Sequence, residues 1–252
     1  MLRTRIIPTL LLRRGGLVKT IGFAGAKYVG DPINSVKIFN EKEVDELILL
    51  DIHASKQRVE PDYDLLSDIV SEAFMPIAYG GGVRSAGQAR RLVGLGIEKI
   101  ILNSAALRDI GLVRAVADKL GSSSTLVAVD VKRNWLGKAR VFDASRGKLT
   151  SIDPVEHVRA AVAQGAGEIF INDVQRDGTG KGLDLAMIAA VAAAVRVPLI
   201  ACGGAGSVAD LRAAADAGAS AVAAGSLFVY MGRHRAVMIN YPAYAALEAL
   251  FS

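Results

Sequence analysis

Two stretches of this chain repeat each other. Pro76-Ile77-Ala78-Tyr79-Gly80-Gly81-Gly82 leads into Arg84-Ser85 and then, a helix-length later, into Asn103-Ser104-Ala105. Pro198-Leu199-Ile200-Ala201-Cys202-Gly203-Gly204 leads into Gly206-Ser207 and then into Gly225-Ser226-Leu227. Pro76 and Pro198, Gly81 and Gly203, Gly96 and Gly218, and Ser104 and Ser226 each stand 122 residues apart. The register extends to Asp31-Pro32 and Asp153-Pro154, to Glu46 and Glu168, and to Asp51 and Asp173. A repeat at constant spacing constrains architecture more than local propensity does, because both copies must fold alike.

Each copy reads as strand, glycine-rich turn, helix, strand and small-residue turn. The apolar runs are short and β-branched, and the segments between them have helical spacing, as in parallel βαβ units. Each half carries about four such units. Two halves, residues 1–120 and 121–252, give the eight units of a (β/α)8 TIM barrel in one domain, at its usual length. A doubly wound sheet is the competing α/β architecture, but it does not require a twofold repeat.

The glycine turns carry the first functional expectation. A Gly-Gly turn at the end of a strand lets backbone N–H groups approach an anion, and the helix behind it adds partial positive charge. Gly81, Gly82, Asn103 and Ser104 would form one phosphate site, and Gly203, Gly204, Gly225 and Ser226 a second. The glycines would also be required if they only allowed tight turns.

Composition narrows the classes. Hydrophobic residues make up 52%, enough for one large core. Thirty basic and 25 acidic residues leave a dispersed net charge of +5, suited to small anionic ligands and not to nucleic acid. A single cysteine, Cys202, excludes an internal disulfide framework and fits the cytoplasm; beside the second Gly-Gly turn it reads as a small buried hydrophobe. The start, Met1 to Pro8, has too short an apolar core for a signal peptide, and no run reaches membrane-spanning length. Nothing in the composition calls for a metal or a cofactor.

Strands are expected at 5–12, 46–51, 75–79, 99–103, 125–130, 168–173, up to Cys202, and at 221–224. A long turn over 13–30 is a candidate lid, with Lys19 a candidate substrate contact. Asp31-Pro32 opens a helix as cap and first-turn proline, and Pro61 is expected to open the next. Asp51, like Asp177 a candidate substrate contact, ends its strand at the top of the barrel, with His53 following on the loop. Residues 131–152 hold Lys132, Arg133 and the only tryptophan, Trp135, and the alternation over 138–142 suggests a small hairpin. Asp177 follows the sixth strand. The last helix is expected at about 241–250.

Two sets of residues bear on chemistry. A carboxylate at a barrel strand's C-terminal end suits acid–base work, since burial there shifts its pKa toward neutrality. Asp130 is so placed. Sliding the first strand onto the fifth puts Leu11 at the corresponding post, so a two-carboxylate site is half missing. The second set is Arg5, Glu46, Lys99 and Glu168 at strand starts. If these point inward they compensate one another, as isolated buried charges could not; otherwise they are solvated residues at strand entrances.

Over nearly its whole length the sequence resembles the cyclase subunit (HisF) of imidazole glycerol phosphate synthase. The matching stretches include Arg5-Ile6-Ile7-Pro8, Gly30-Asp31-Pro32, Leu50-Asp51-Ile52, Gly80-Gly81-Gly82, Asn103-Ser104-Ala105-Ala106, Asp130, Gly165-Ala166-Gly167-Glu168-Ile169, Arg176-Asp177-Gly178-Thr179 and Gly203-Gly204-Ala205-Gly206. The resemblance implies a class I, HisH-like glutaminase on the barrel's bottom and ammonia crossing to the top. It implies that Arg5, Glu46, Lys99 and Glu168 are the gate, with Glu98 a partner contact, and that the glycine turns hold the phosphates of a small ligand. It also places the family's two catalytic aspartates at positions 11 and 130, and position 11 is Leu11.

The departure extends further. Leu10-Leu11-Leu12-Arg13-Arg14-Gly15-Gly16 replaces the family's usual Leu-Asp-Val. With Lys27-Tyr28-Val29-Gly30, Phe74-Met75-Pro76 and Gly232-Arg233-His234-Arg235-Ala236-Val237, it is similar to a HisF-like branch associated with glycosyl amidation in bacterial surface-polysaccharide (O-antigen) gene sets. The resemblance therefore implies an ammonia-conducting barrel that serves a sugar amidotransferase. Two alternatives stand beside it: a true cyclase and ammonia lyase working through Asp130 alone or with Asp177, and a non-catalytic phosphate-binding scaffold that activates its glutaminase.

Overall fold

The computed structural model describes residues 4–251; Met1–Arg3 and Ser252 lie outside the described residues. Eight parallel strands close on themselves: β1 (Arg5–Arg13), β2 (Leu47–Asp51), β3 (Ile77–Gly80), β4 (Lys99–Leu102), β5 (Thr125–Arg133), β6 (Glu168–Asp173), β7 (Leu199–Cys202) and β8 (Ala221–Ala224). Each pairs with the next, and β1 closes the ring on β8 through Arg5↔Ala221 to Pro8↔Ala224. Helices connect the strands on the outside, including Pro32–Glu41, Tyr63–Ser71, Ala86–Gly94, Gly111–Leu120, Pro154–Ala163, Leu185–Ala194 and Val208–Asp216. This is the (β/α)8 TIM barrel.

Strand periodicity sorts the core into two layers. On β1, Ile6, Leu10 and Leu12 pack outward against the helices, while Ile7 joins an inner cluster with Ile48, Ala78, Leu126, Phe170 and Ile200. Both faces of each strand are thus apolar, which explains why the strands read as continuous hydrophobic runs. The repeat is visible in the capping chemistry. Asp31 accepts from the Asn34 N–H at 2.8 Å and Asp153 from the Val155 N–H at 2.9 Å, each followed by a first-turn proline. Ser85 and Ser207 likewise cap their helices through Gln88 and Asp210.

Several expectations are corrected. Residues 13–30 are not a loose turn. β1 runs on to Arg13, and Gly16–Ile21 and Ala24–Gly30 continue the sheet as antiparallel strands. Both reversals are two-residue loops with positive φ at both positions, Arg14-Gly15 and Gly22-Phe23, the backbone that matches strand twist in a tight hairpin. The helix expected at Pro61 begins at Tyr63, because Asp62 caps it by accepting from the Leu65 N–H at 3.1 Å. The last helix spans Tyr244–Phe251. The hairpin expected over 138–142 has a larger frame: Ala139–Asp143 pairs with the extended end of β5, Val131↔Val141, and Trp135 is exposed at its tip.

The first hairpin is fastened to the barrel top. The Gly22 N–H donates to the Asp177 carbonyl at 3.0 Å, and Phe23 meets Phe142 edge-on with ring centroids 6.3 Å apart. Gly178, at φ 73°, lies so close beneath the hairpin that an added Cβ would stand 2.3 Å from the Thr20 carbonyl oxygen. Gly178→Ala is expected to destabilise the protein by about 1–3 kcal/mol, read as a lower Tm, with hydrogen exchange rising first in 16–30. Unchanged exchange there would show that the hairpin does not depend on this contact.

Candidate functional site

The strand ends β1–β8 surround a cavity of about 160 Å³ at the C-terminal mouth of the barrel. Leu11, Lys19, Asp51, Gly81, Gly82, Asn103, Ser104, Asp130, Asp177, Gly225 and Ser226 all line it. The hairpin over 16–30 delivers Lys19, β5 delivers Asp130, and the segment after β6 delivers Asp177.

Gly203 and Gly204 do not line the cavity. Gly203 packs against Asn172 and Asp173, and Gly204 lies beneath residues 176–182: the Gly182 N–H donates to the Gly204 carbonyl at 2.9 Å, and a Cβ on Gly204 would stand 2.2 Å from the Gly182 carbonyl oxygen. The first turn is packed as closely, since a Cβ on Gly81 would stand 2.6 Å from Asp51 Cβ and one on Gly82 2.8 Å from the Val59 carbonyl oxygen. At the first, the Gly82 N–H already donates to Ser55 Oγ at 3.2 Å, while no side chain caps the short helix Ser104–Arg108. At the second, only Gly225 and Ser226 face the opening, and the helix Ser226–Val229 is likewise uncapped by a side chain.

Asp130 is 4% exposed, and desolvation raises its carboxyl from an ordinary value of 3.8 to about 7. Two amides oppose the shift: Asn103 Nδ2 donates to it at 2.8 Å and Asn172 Nδ2 at 3.4 Å. Asn103 thus spends its side chain on Asp130. Lys19 is also buried, and desolvation lowers its ammonium from 10.5 to about 8 against the pull of Asp177. Burial likewise raises the Asp177 carboxyl, with Lys19 opposing, and raises the Cys202 thiol, which stays protonated. The mouth can therefore exchange protons near neutrality.

A sign follows for stability. The folded chain keeps the Asp130 proton at pH values where the unfolded chain has lost it, so this group's contribution falls as pH rises from about 4 to 7. Asp130→Asn should remove that decline, measured by denaturation across the range. An unaltered slope would mean that Asp130 ionises normally. For Lys19 the sign is opposite: its contribution rises with pH between about 8 and 10.5.

Asp51 serves the backbone: its Oδ1 accepts from the N–H groups of His53 and Ala54 at 2.8 and 3.0 Å. Asp173 does the same for Gln175 and Arg176. His53 lines a separate cavity with Arg14, Glu60 and Tyr79. Among the described residues no group of His, Cys, Asp and Glu side chains is placed to hold a metal ion, and no helix is long and apolar enough to cross a membrane.

At the opposite end, Arg5, Glu46, Lys99 and Glu168 form a closed ring of ion pairs. Arg5 bonds both carboxylates, and Lys99 Nζ donates to Glu46 at 3.0 Å and to Glu168 at 2.8 Å. Glu46 and Glu168 are 3% and 4% exposed. Burial works against the Arg5 charge, but Glu168 and Glu46 outweigh it and raise its pKa. Two positive and two negative charges leave the ring neutral, the condition under which such burial is tolerated. Glu98 adjoins the ring in sequence, with its N–H donated to the Ile77 carbonyl.

Residues 5–235 match the family described as histidine biosynthesis protein. The chain belongs to that family. It is similar to a putative imidazole glycerol phosphate synthase subunit, hisF2, of Pseudomonas aeruginosa, with 51% identity covering 96% of this chain and 97% of the relative. It is also similar to a putative subunit HisF of Leptospira interrogans, with 46% identity over the whole of both chains. Imidazole glycerol phosphate synthase subunit HisF of Streptomyces coelicolor is 39% identical over 90% of each chain. The protein is thus a HisF-like barrel subunit.

Sequence reasoning passed over several residues of this HisF-like mouth. Asn172 pairs in register with Asp130, Asn172↔Asp130, and its place one residue before Asp173 was the available signal. Lys56, Arg58, Arg84 and Arg108 line the cavity on the side of the first turn. Arg235 reaches back nine residues to Ser226 from the hairpin that follows it, and no local pattern announces that contact.

Proposed function

We propose that the barrel conducts ammonia from a class I, HisH-like glutaminase on its N-terminal face to its C-terminal mouth. There it serves a cytoplasmic amidotransferase acting on a nucleotide-activated sugar in surface-polysaccharide (O-antigen) synthesis. The observation that carries this reading is the pairing of a closed charge ring at one end with Leu11 at the other. Leucine holds no exchangeable proton, so the strand position opposite Asp130 can take no part in acid–base chemistry.

Between the two ends the barrel interior is apolar, packed with Ile7, Ile48, Ala78, Ala128, Ala221 and Ala223 among others. Such an interior would admit neutral ammonia far more readily than ammonium, which finds no partner there to offset its desolvation. The ring would select at the entrance, because an opening must displace Lys99 or Arg5 from both carboxylates. A small phosphorylated ligand at the mouth would be held at the Gly82–Ser104 and Gly225–Ser226 turns.

The runner-up is a true cyclase, favoured by one observation: Asp177 lines the same mouth with its carboxyl raised by burial. Complementation separates the two. A histidine auxotroph lacking its own cyclase subunit should not grow when given this chain with its glutaminase. Growth at a near wild-type rate would overturn the conduit reading.

A further inference from the structure

We propose that Arg235 determines what the mouth binds: it fixes a dianionic phosphate group at the Gly225–Ser226 end. The inference rests on the reading of the mouth as a site for a phosphorylated ligand and names the residue that makes its second end selective.

The residues after Ser226–Val229 form a two-stranded hairpin, Tyr230–Met231 against Ala236–Val237. Its turn ends on Arg235 at φ 51°, a backbone that side-chain-bearing residues seldom adopt. The strained position turns the side chain back onto the barrel. The guanidinium lies 4.6 Å over the Tyr230 ring, donates to the Gly178 carbonyl at 3.2 Å and reaches Ser226 Oγ at 3.4 Å. Both hydrogen-bond acceptors are neutral, and among the described residues no carboxylate forms an ion pair with Arg235.

A second cation converges on the same turn. Lys19 is 5% exposed, and its Nζ stands so close to Gly225 that a Cβ there would lie 2.2 Å away. One of its N–H groups goes to the Thr9 carbonyl, and Asp177 lies close enough to favour its charged form. A planar fork from one side and a point charge from the other suit a tetrahedral dianion. The first turn has no such arrangement: its cations Lys56, Arg58, Arg84 and Arg108 are exposed.

The test is a titration of inorganic phosphate into the full chain, following the amide signals of Gly82 and Ser104 and, separately, of Gly225 and Ser226. Arg235→Met keeps an apolar stem over Tyr230 while removing the fork. It should weaken phosphate at Gly225–Ser226 by about tenfold or more, the size of a lost charge-assisted contact, and leave Gly82–Ser104 unchanged. Should methionine disorder the hairpin, Arg235→Lys decides: it should bind more weakly than wild type at the second turn, and equal binding overturns the proposal. Equal binding by Arg235→Met overturns it, as does tighter binding, which would make Arg235 a plug. Phosphate at neither turn of the wild type would sink the phosphorylated-ligand reading as well; phosphate at both turns with Arg235→Met unaffected would sink this inference alone.

Discussion

Supplied with the imidazole glycerol phosphate synthase substrate and ammonium, the wild-type chain should show cyclase activity about 10²–10⁴ below that of a two-aspartate mouth, the usual worth of one acid–base group. Leu11→Asp should restore part of it. Leu11 and Asp130 both line the mouth, on β1 and on β5, half-way round the ring from each other. A substrate between them would meet a proton donor on one side and a methyl surface on the other. The introduced carboxylate would sit on the same strand as Thr9, whose carbonyl holds Lys19. That ammonium would help keep it ionised, while its negative charge would push Asp130 further up. The measurement is turnover of wild type and variant with saturating ammonium, so that no glutaminase enters. High wild-type turnover would remove the ground for a conduit without ring closure. No gain in the variant would place a further block in the mouth, with the hairpin over 16–30 the first place to look.

The second large effect is expected at the other end. Lys99→Ala removes one cation from a neutral ring and leaves Glu46 and Glu168 sharing Arg5 alone. Breaking a buried pair in this way costs about 3–5 kcal/mol when the remaining charge stays dry. The Lys99 side chain is 20% exposed, so water at the entrance relieves part of that cost. The result would be a wetter or distorted entrance with the barrel still folded. In a system reconstituted with the glutaminase and the amidotransferase, the glutamine-driven rate should fall much more than the rate driven by added ammonium. An equal fall in both, or no change in either, would mean that ammonia does not travel through this barrel. A glutaminase seated there should bury about 1,200–2,000 Å², and docking should survive Lys99→Ala because the ring faces inward.

Much of this molecule is legible in its residues. The 122-residue register is enough for the strand count, and the apolar runs locate all eight strands, because both faces of a parallel barrel strand must be buried. Asp31-Pro32 and Asp153-Pro154 announce helix starts because capping is local chemistry between residues two or three apart. Leu11 against Asp130 is legible for the same reason: equivalent strand positions in a barrel of parallel strands point the same way.

Whatever depends on approach through space is not legible in this way. The loop signals at Gly15-Gly16 and Gly22 hid a hairpin, because two-residue turns with positive φ use the same glycines as loose loops. Arg14 takes φ 52° beside Gly15, so composition understates how tight this reversal is. The glycines of both turns also make room for close neighbours, Gly81 for Asp51 and Gly203 for Asp173, Gly82 for Val59 and Gly204 for Gly182, packing contacts that no spacing reports. The amide of Asn172 on Asp130 and the Lys19 ammonium against Gly225 join residues far apart in the chain. The barrel, its caps and the missing carboxylate are thus set out in the residue order, because they follow from periodicity and local hydrogen bonding. Which side chains meet at the mouth, and how burial shifts their protons, is settled in three dimensions, because desolvation and close approach arise only once the strands close into a ring.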